Sequence, residues 1–188
     1  MRLKEITLAL LIAVAERGSC AQTRLKLLAP LVEASARRLA IADKVALAKI
    51  RSHTAIEDSH RESVVIASAV VEGKAKGLAE ASISRFFGAQ IEASKLVQYS
   101  LVARWNRSGV LPEEEAVSLT DVMRPSLDRI QTGIIDQLAA TASIRSRASC
   151  ASDMAKAIGV YNSKHHRNFD TLHAIALDRS LAAACETQ

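Results

Sequence analysis

The scarcity of helix breakers most constrains how this chain can fold. Only 7 glycines and 3 prolines occur among its 188 residues, and apolar positions such as Leu31, Leu39, Val45 and Ile50 recur with the spacing of one helix face. No segment shows the alternation of apolar and polar residues that a half-buried strand requires. The sequence therefore predicts an all-α fold, and a chain of this length can bury one core as a single domain.

Breakers and capping residues divide the chain into six predicted helices. Pro30 fits the first turn of the first helix, Gly73 and Gly77 would close the second, and Thr120 or Asp121 would cap the fourth. We expect helices over about 30–52, 58–72, 78–106, 120–147, 152–158 and 165–184, with a linker over 109–118 and a C-terminal hairpin formed by the last two.

The N-terminal segment predicts export. Arg2 and Lys4 give a positively charged start, residues 6–15 form an apolar run, and small residues precede Gln22 as a signal peptidase requires. Ten apolar residues are too few to span a bilayer. We therefore expect a periplasmic or secreted protein with no membrane attachment after cleavage; the alternative is that the segment forms the first turns of a core helix. The predicted divisions are a signal peptide over 1–21 and a mature domain over 22–188.

The cysteines are consistent with an oxidising compartment. Cleavage after Ala21 would remove Cys20 and leave the even pair Cys150 and Cys185, which can form a disulfide. Two buried free thiols are the alternative for this pair, and a lipid attached to Cys20 is a third possibility.

The charge pattern suits a protein that handles anions. The formal net charge is +5, which is compatible with a small dianion, nucleic acid or a lipid surface. Because residues of both signs are interspersed, we interpret most of them as a solvated helical surface, including the basic cluster of Lys164–Arg167 with Arg145 and Arg147, and predict no nucleic-acid partner. The C-terminal histidines, His173 among them, lack metal-ligand spacing and are predicted to lie at the surface without a metal.

Polar residues interrupt apolar helix faces at regular spacings. Arg38 and Lys49 are eleven residues apart and would point to one side of the first helix, while Ser94 and Gln98 are four apart and stacked. A third group lies near one face of the second helix: Asp58, Arg61 and Glu62. If these faces pack together, cations outnumber carboxylates, which favours a cavity for a small anion. The alternative is that the long cationic side chains reach solvent.

Three segments resemble a known enzyme family. Residues 39–49, 56–62 and 86–98 are similar to the all-helical chorismate mutases, and the spacing of their polar residues matches that family's active-site pattern without a gap. The leader, the long second half and the late cysteine pair resemble the exported gamma subclass. The matching residues are Arg38, Lys49, Asp58, Arg61, Ser94 and Gln98, with Arg124 at the position of the last active-site arginine.

The resemblance implies a single six-helix domain of chorismate mutase type, commonly a homodimer in relatives, that rearranges chorismate to prephenate without a cofactor, metal or nucleophile. Lys49 and Gln98 would donate hydrogen bonds to the ether oxygen as negative charge grows there. The remaining implied roles are carboxylate binding by Arg38, Arg61 and Arg124, support of a carboxylate by Ser94, and positioning of the ring hydroxyl and the cations by Asp58 and Glu62.

Two other functions stay open at this point. An isochorismate pyruvate lyase shares the fold and several of the cations, and an exported helical module that binds anions without turnover would keep the same cavity. For the mutase, Gln98 predicts activity that stays broad through neutral pH, because an amide donates a hydrogen bond without needing a proton from solution.

Overall fold

The computed structural model has the predicted all-α architecture. It describes the backbone of residues 2–115, 117–167 and 169–186, and the side chains of these residues from 21 onward. Within those ranges no strand occurs, and none of the helices combines the length and apolar character needed to cross a membrane. The helices are α1 (Arg2–Ala40), α2 (Ala42–Arg51), α3 (Ser59–Ala75), α4 (Glu80–Ser108), a π-helical segment (Leu119–Met123), α5 (Arg124–Ala140), α6 (Ala142–Arg145), α7 (Cys150–His165) and α8 (Thr171–Leu181).

Two long helices organise the core. α1 packs against α5, α7 and α8, and α4 packs against α2, α3 and α8. Each large apolar side chain buried between them contributes about 1.5–3 kcal/mol. Fully buried members of this core include Leu28, Leu31, Leu39, Phe86, Phe87, Ile134 and Leu177.

The first predicted helix ends where expected, at Arg51, but its start and its continuity are wrong. Pro30 lies inside α1 rather than in its first turn, because the buried Leu28 and Leu31 on either side pack this stretch into the core. The chain then breaks at Ile41, between α1 and α2, where the sequence contains neither glycine nor proline. The predicted helix over 30–52 is therefore divided between two helices.

Gly73 is an interior residue of α3 and does not end it. A Cβ atom at this position would lie 2.5 Å from Cδ1 of Ile83, so glycine allows α4 to approach α3 closely. α3 instead continues to Ala75, and Gly77 turns the chain in the left-handed region, with φ at 77°.

The predicted fourth helix is replaced by the π-helical segment, α5 and α6. Ser118, rather than Thr120 or Asp121, supplies the cap, since its Oγ accepts a hydrogen bond from the Asp121 backbone nitrogen at 3.1 Å. Pro125 occupies the first turn of α5, where its missing N–H is not needed.

The C-terminal hairpin is confirmed, with different bounds. α7 begins at Cys150, and α8 begins at Thr171 after Asp170, whose Oδ1 accepts a hydrogen bond from the backbone nitrogen of His173. A disulfide joins Cys150 to Cys185, which confirms the predicted pair and ties the start of α7 to the segment after α8.

Two C-terminal cations are buried, which contradicts their predicted place at the surface. Arg145 is 1% exposed and donates to the carbonyl of Ala184 at 2.8 Å and to Glu186 at 3.2 Å. His173 is 9% exposed and lies between Asp170 and Asp43, with ring nitrogens 2.7 and 2.9 Å from their carboxylate oxygens.

The predicted signal peptide stays a prediction. All but the last of residues 1–21 lie outside the residues whose side chains are described.

Candidate active site

A cavity of about 140 Å³ opens between α1, α2, α3, α4 and the start of α5. The α1–α2 break does not separate the two cations predicted from one helix, because both still face this space. All eight residues predicted from the sequence line it: Arg38, Lys49, Asp58, Arg61, Glu62, Ser94, Gln98 and Arg124.

The lining of the cavity carries an excess of positive charge. Among the described residues, five cationic and three acidic side chains line it, which leaves two positive charges in excess. The remaining walls are largely apolar and include Val45, Ile91, Leu119 and Met123. A small dianion with an apolar ring matches this combination of charge and surface.

Arg38 is a buried cation without a carboxylate partner. It is 7% exposed, its Nη1 donates to the backbone carbonyl of Gln90 at 3.1 Å, and it makes no ion pair with any described residue. Burial lowers the pKa of Arg38 to about 10, so the side chain stays charged at neutral pH. The Gln90 amide that accompanies it is anchored in turn, donating to Ser35 Oγ at 3.1 Å and to the Ser180 carbonyl at 3.0 Å.

Lys49 is positioned by the loop that precedes α3. Its Nζ donates to the carbonyl of Ile56 at 2.5 Å and forms no ion pair with a described residue. Burial lowers the pKa of Lys49, while the negative charges of Asp58 and Glu62 act in the opposite direction. The ammonium therefore has hydrogen-bonding capacity left for a ligand.

The arginines from α3 and α5 differ in their partners. Arg61 Nη2 lies 3.4 Å from Oδ1 of Asp128, an exposed acidic residue of α5. Arg124 lies one turn before Asp128 and has no ion pair within the described part of the chain. A ligand carboxylate would compete with Asp128 for Arg61 and would meet no such competitor at Arg124.

Two of the three acidic residues of the cavity hold the start of α3. Asp58 is the N-cap, and its Oδ1 accepts a hydrogen bond from the backbone nitrogen of Arg61 at 2.9 Å. Glu62 Oε1 accepts one from the backbone nitrogen of Asp58 at 3.3 Å. This reciprocal capping fixes where the side chains of the first turn enter the cavity.

Gln98 carries an unsatisfied polar atom. Its Nε2 donates to Ser94 Oγ at 3.1 Å, while its buried Oε1 has no hydrogen-bond partner among the described residues. Rotating the amide by half a turn would let the Ser94 hydroxyl donate to Oε1 and would aim the NH₂ group away from Ser94. A ligand with an acceptor oxygen would favour this second orientation.

Two charged residues of the site were not predicted. Lys95 and Asp128 both line the cavity. Lys95 follows Ile91 by four residues, and this spacing on one helix face was an available signal. Asp128 follows Arg124 by four and has the same kind of signal.

Hydrogen bonds hold the linker after α4 against α2, beside the cavity. Arg51, two residues after Lys49, donates to the carbonyls of Pro112 and Glu114, both at 2.6 Å. These bonds hold the segment that leads into Leu119 and Met123, which form part of the cavity wall. Among the described residues, no group of three His, Cys, Asp or Glu side chains is arranged to hold a metal ion.

Comparisons with known proteins point to one family. The model of the family described as chorismate mutase type II matches residues 29–99. The secreted chorismate mutase of Mycobacterium tuberculosis is 30% identical over 162 residues, covering 85% of this chain and 78% of the relative. That of Mycolicibacterium smegmatis is 28% identical over 158 residues, covering 84% and 86%. A crystal structure of chorismate mutase from Burkholderia phymatum superimposes with a TM-score of 0.83 at 37% identity, covering 87% of this chain and 99% of that one.

Proposed function

The chain belongs to the chorismate mutase family, and we propose that its cavity binds chorismate and rearranges it to prephenate, an isomerase reaction. One observation carries the assignment to this cavity. Arg38, Lys49 and Arg124 converge there without an ion pair to any described residue; Lys49 and Arg124 are half-buried, and Arg38 is a buried unpaired cation, which is unfavourable. A dianionic ligand would supply the missing negative charge.

The arginines act on the conformation of the substrate. Arg38, Arg61 and Arg124 come from α1, α3 and α5, so they reach the cavity from three sides. Bound to the two carboxylates, they hold the side chain of chorismate over its ring in the compact form that reacts. Restricting the substrate in this way removes part of the entropic barrier to a unimolecular rearrangement.

Lys49 and Gln98 act on the charge that develops during the reaction. As the C–O bond breaks ahead of C–C bond formation, negative charge grows on the ether oxygen. Lys49 Nζ and the amide NH₂ of Gln98, in the rotated orientation, donate hydrogen bonds to that oxygen. Only the part of these bonds that strengthens at the transition state raises the rate.

The remaining polar residues position the substrate and these donors. Asp58 and Glu62 accept from the ring hydroxyl or orient the cations, and both are already fixed by the capping of α3. Ser94 supports a carboxylate or, in the rotated arrangement, the Gln98 carbonyl.

Loss of chorismate absorbance, with prephenate identified as the product, tests the function. We expect Lys49→Met to lower kcat/KM by about a thousandfold. Lys76→Met is the control, because Lys76, at the C-cap of α3, pairs with Asp136 of α5 and lies outside the cavity lining. A folded wild type without turnover would overturn the proposal.

The same assay separates the alternatives. An isochorismate pyruvate lyase would release pyruvate from isochorismate and leave chorismate unchanged. A binding module would retain a chorismate-like dicarboxylate in calorimetry and turn over neither compound.

Export and assembly complete the proposal. The secreted relatives confirm the prediction of an exported protein. We further propose cleavage before Gln22, which the mass of the exported protein tests.

We also propose that the protein is a homodimer. Val64 and Val71 of α3 are 42% and 73% exposed, which supports an association that sedimentation would detect.

A further inference from the structure

Lys95 is a buried lysine of the cavity wall with unusually many acidic partners. It is 9% exposed, and its Nζ lies 2.6 Å from Glu92, 3.2 Å from Glu62 and 3.3 Å from Glu57. Hydrogen bonding to Glu92, followed by the bonds to Glu62 and Glu57, raises its pKa against the effect of burial. Its positive charge is therefore largely satisfied by the protein, unlike that of Lys49.

Glu62 is the partner that connects Lys95 to the cavity. Its Oε2 accepts from Lys95 on α4, and its Oε1 accepts from the backbone nitrogen of Asp58 at the start of α3. Both carboxylate oxygens are thus held, each by a different element. Glu57 and Glu92 are largely solvent-facing, whereas the Glu62 side chain is 24% exposed and lines the cavity.

Lys49 and Lys95 both line the cavity with Glu62, but only Lys95 pairs with it. Among the charges that act on the pKa of Lys49, Asp58 and then Glu62 raise it, and Arg124 and then Lys95 lower it, so Glu62 and Lys95 are both in electrostatic reach of Lys49. Lys49 makes no ion pair with a described residue, while Lys95 holds Glu62 directly. Without Lys95, Glu62 would be left with one nearby unpaired ammonium, that of Lys49.

We propose that Lys95 is a positioning residue that holds Glu62 away from Lys49, and so keeps the Lys49 ammonium available to the substrate. This inference rests on the proposed function, since it assigns Lys49 to the substrate. It makes a specific kinetic prediction. Substrate must displace Glu62 from Lys49 when Lys95 is missing, which weakens apparent binding but leaves the bound complex nearly unchanged.

A double-mutant cycle tests this role. In Lys95→Met we expect KM to rise about tenfold and kcat to stay within about twofold. In the Glu62→Gln background, where the carboxylate that Lys95 holds is absent, the same substitution leaves KM unchanged. Lys95→Arg keeps the charge and restores KM to within about twofold of wild type. Lys76→Met serves as the control with no effect on KM.

The outcomes separate this inference from the proposed function. The dissociation constant of a stable bicyclic ether dicarboxylate, measured by calorimetry, gives a second readout that needs no turnover and follows the same cycle. An equal rise in KM from Lys95→Met in both backgrounds, or a change in kcat alone, would overturn the inference. Neither result would contradict the proposed mutase function. A wild type that rearranges nothing overturns the proposed function, and the binding cycle then still decides the role of Lys95. If Lys95→Met does not fold, Lys95→Gln takes its place.

Discussion

Arg38 and Arg145 are both buried arginines, yet they lie in opposite environments. Arg38, in the cavity, has one hydrogen bond to a backbone carbonyl and no ion pair with a described residue. Arg145, beneath the C-terminal hairpin, donates to the carbonyls of Leu138 and Ala184 and pairs with Glu186. Burial lowers the pKa of both, but only Arg145 has a nearby anion acting against it.

The comparison distinguishes a binding group from a structural one. Burial alone does not, because both side chains are almost inaccessible to solvent. What differs is whether other groups of the protein neutralise the charge of the arginine and accept its hydrogen bonds. In the cavity Arg38 has no ion-pair partner among the described residues, whereas beneath the hairpin Glu186 and two backbone carbonyls satisfy Arg145. The same region also contains the disulfide and a histidine held between two carboxylates.

The disulfide gives the largest expected effect on the structural side. Replacing Cys150 and Cys185 together by serine should lower the free energy of unfolding by about 4 kcal/mol, because the closed loop of 35 residues no longer restricts the unfolded chain. Urea unfolding measures the change. We expect kcat/KM of the folded protein to stay unchanged, and a large loss of activity would show that the hairpin shapes the cavity.

Gln98→Glu should change activity strongly without a comparable change in stability. A glutamate donates to the ether oxygen only when protonated, so we expect kcat/KM near neutral pH to fall about a hundredfold and to recover on acidification. The wild type should keep a broad profile, measured by chorismate loss across the pH range. A wild-type rate that falls steeply from acidic to neutral pH would contradict the role of Gln98.

His173, which links the hairpin to α2 through Asp43, should make stability depend on pH. The hydrogen bond to Asp43 and then that to Asp170 raise its pKa from 6.5 to about 9. A raised pKa in the folded state means that the contribution is fully present below about pH 6.5 and is lost as the pH rises to about 9. His173→Gln should flatten the unfolding free energy across this window. If the variant keeps the wild-type slope, another group is responsible.

Asp128→Asn should give the smallest of these effects, a slight decrease in KM. Asp128 is exposed and holds Arg61 only weakly in the free protein, so its loss should lower KM by about twofold. A rise in KM would mean that Asp128 orients Arg61 for the substrate. Steady-state kinetics at low ionic strength distinguishes these results.

The sequence predicted the helical fold and seven of the eight proposed site residues with the help of local spacing. Gly109 ends α4 as expected, and Ser94 stacks on Gln98 as four-residue spacing requires. Arg124 depended on the family resemblance, since nothing in its own segment marks it as a binding residue. Their roles as substrate ligands remain to be measured.

What the sequence did not reveal depends on tertiary packing. Asp43 and His173 are 130 residues apart, so the ion pair that buries the histidine has no local signal. Lys95 acquires its partners Glu57 and Glu62 only when α3 packs beside α4. The break at Ile41 contains neither glycine nor proline, so no residue type marks it in the sequence.

The most direct test measures kcat/KM and the unfolding free energy together for Arg38→Met and Arg145→Met. We predict that Arg38→Met lowers kcat/KM by at least about a hundredfold and leaves stability unchanged or higher, because an unpaired buried cation is removed. Arg145→Met should lower the unfolding free energy by about 2–3 kcal/mol with normal kcat/KM. A folded Arg38→Met protein with wild-type kcat/KM would contradict the claim that the bound substrate neutralises the cations of the cavity.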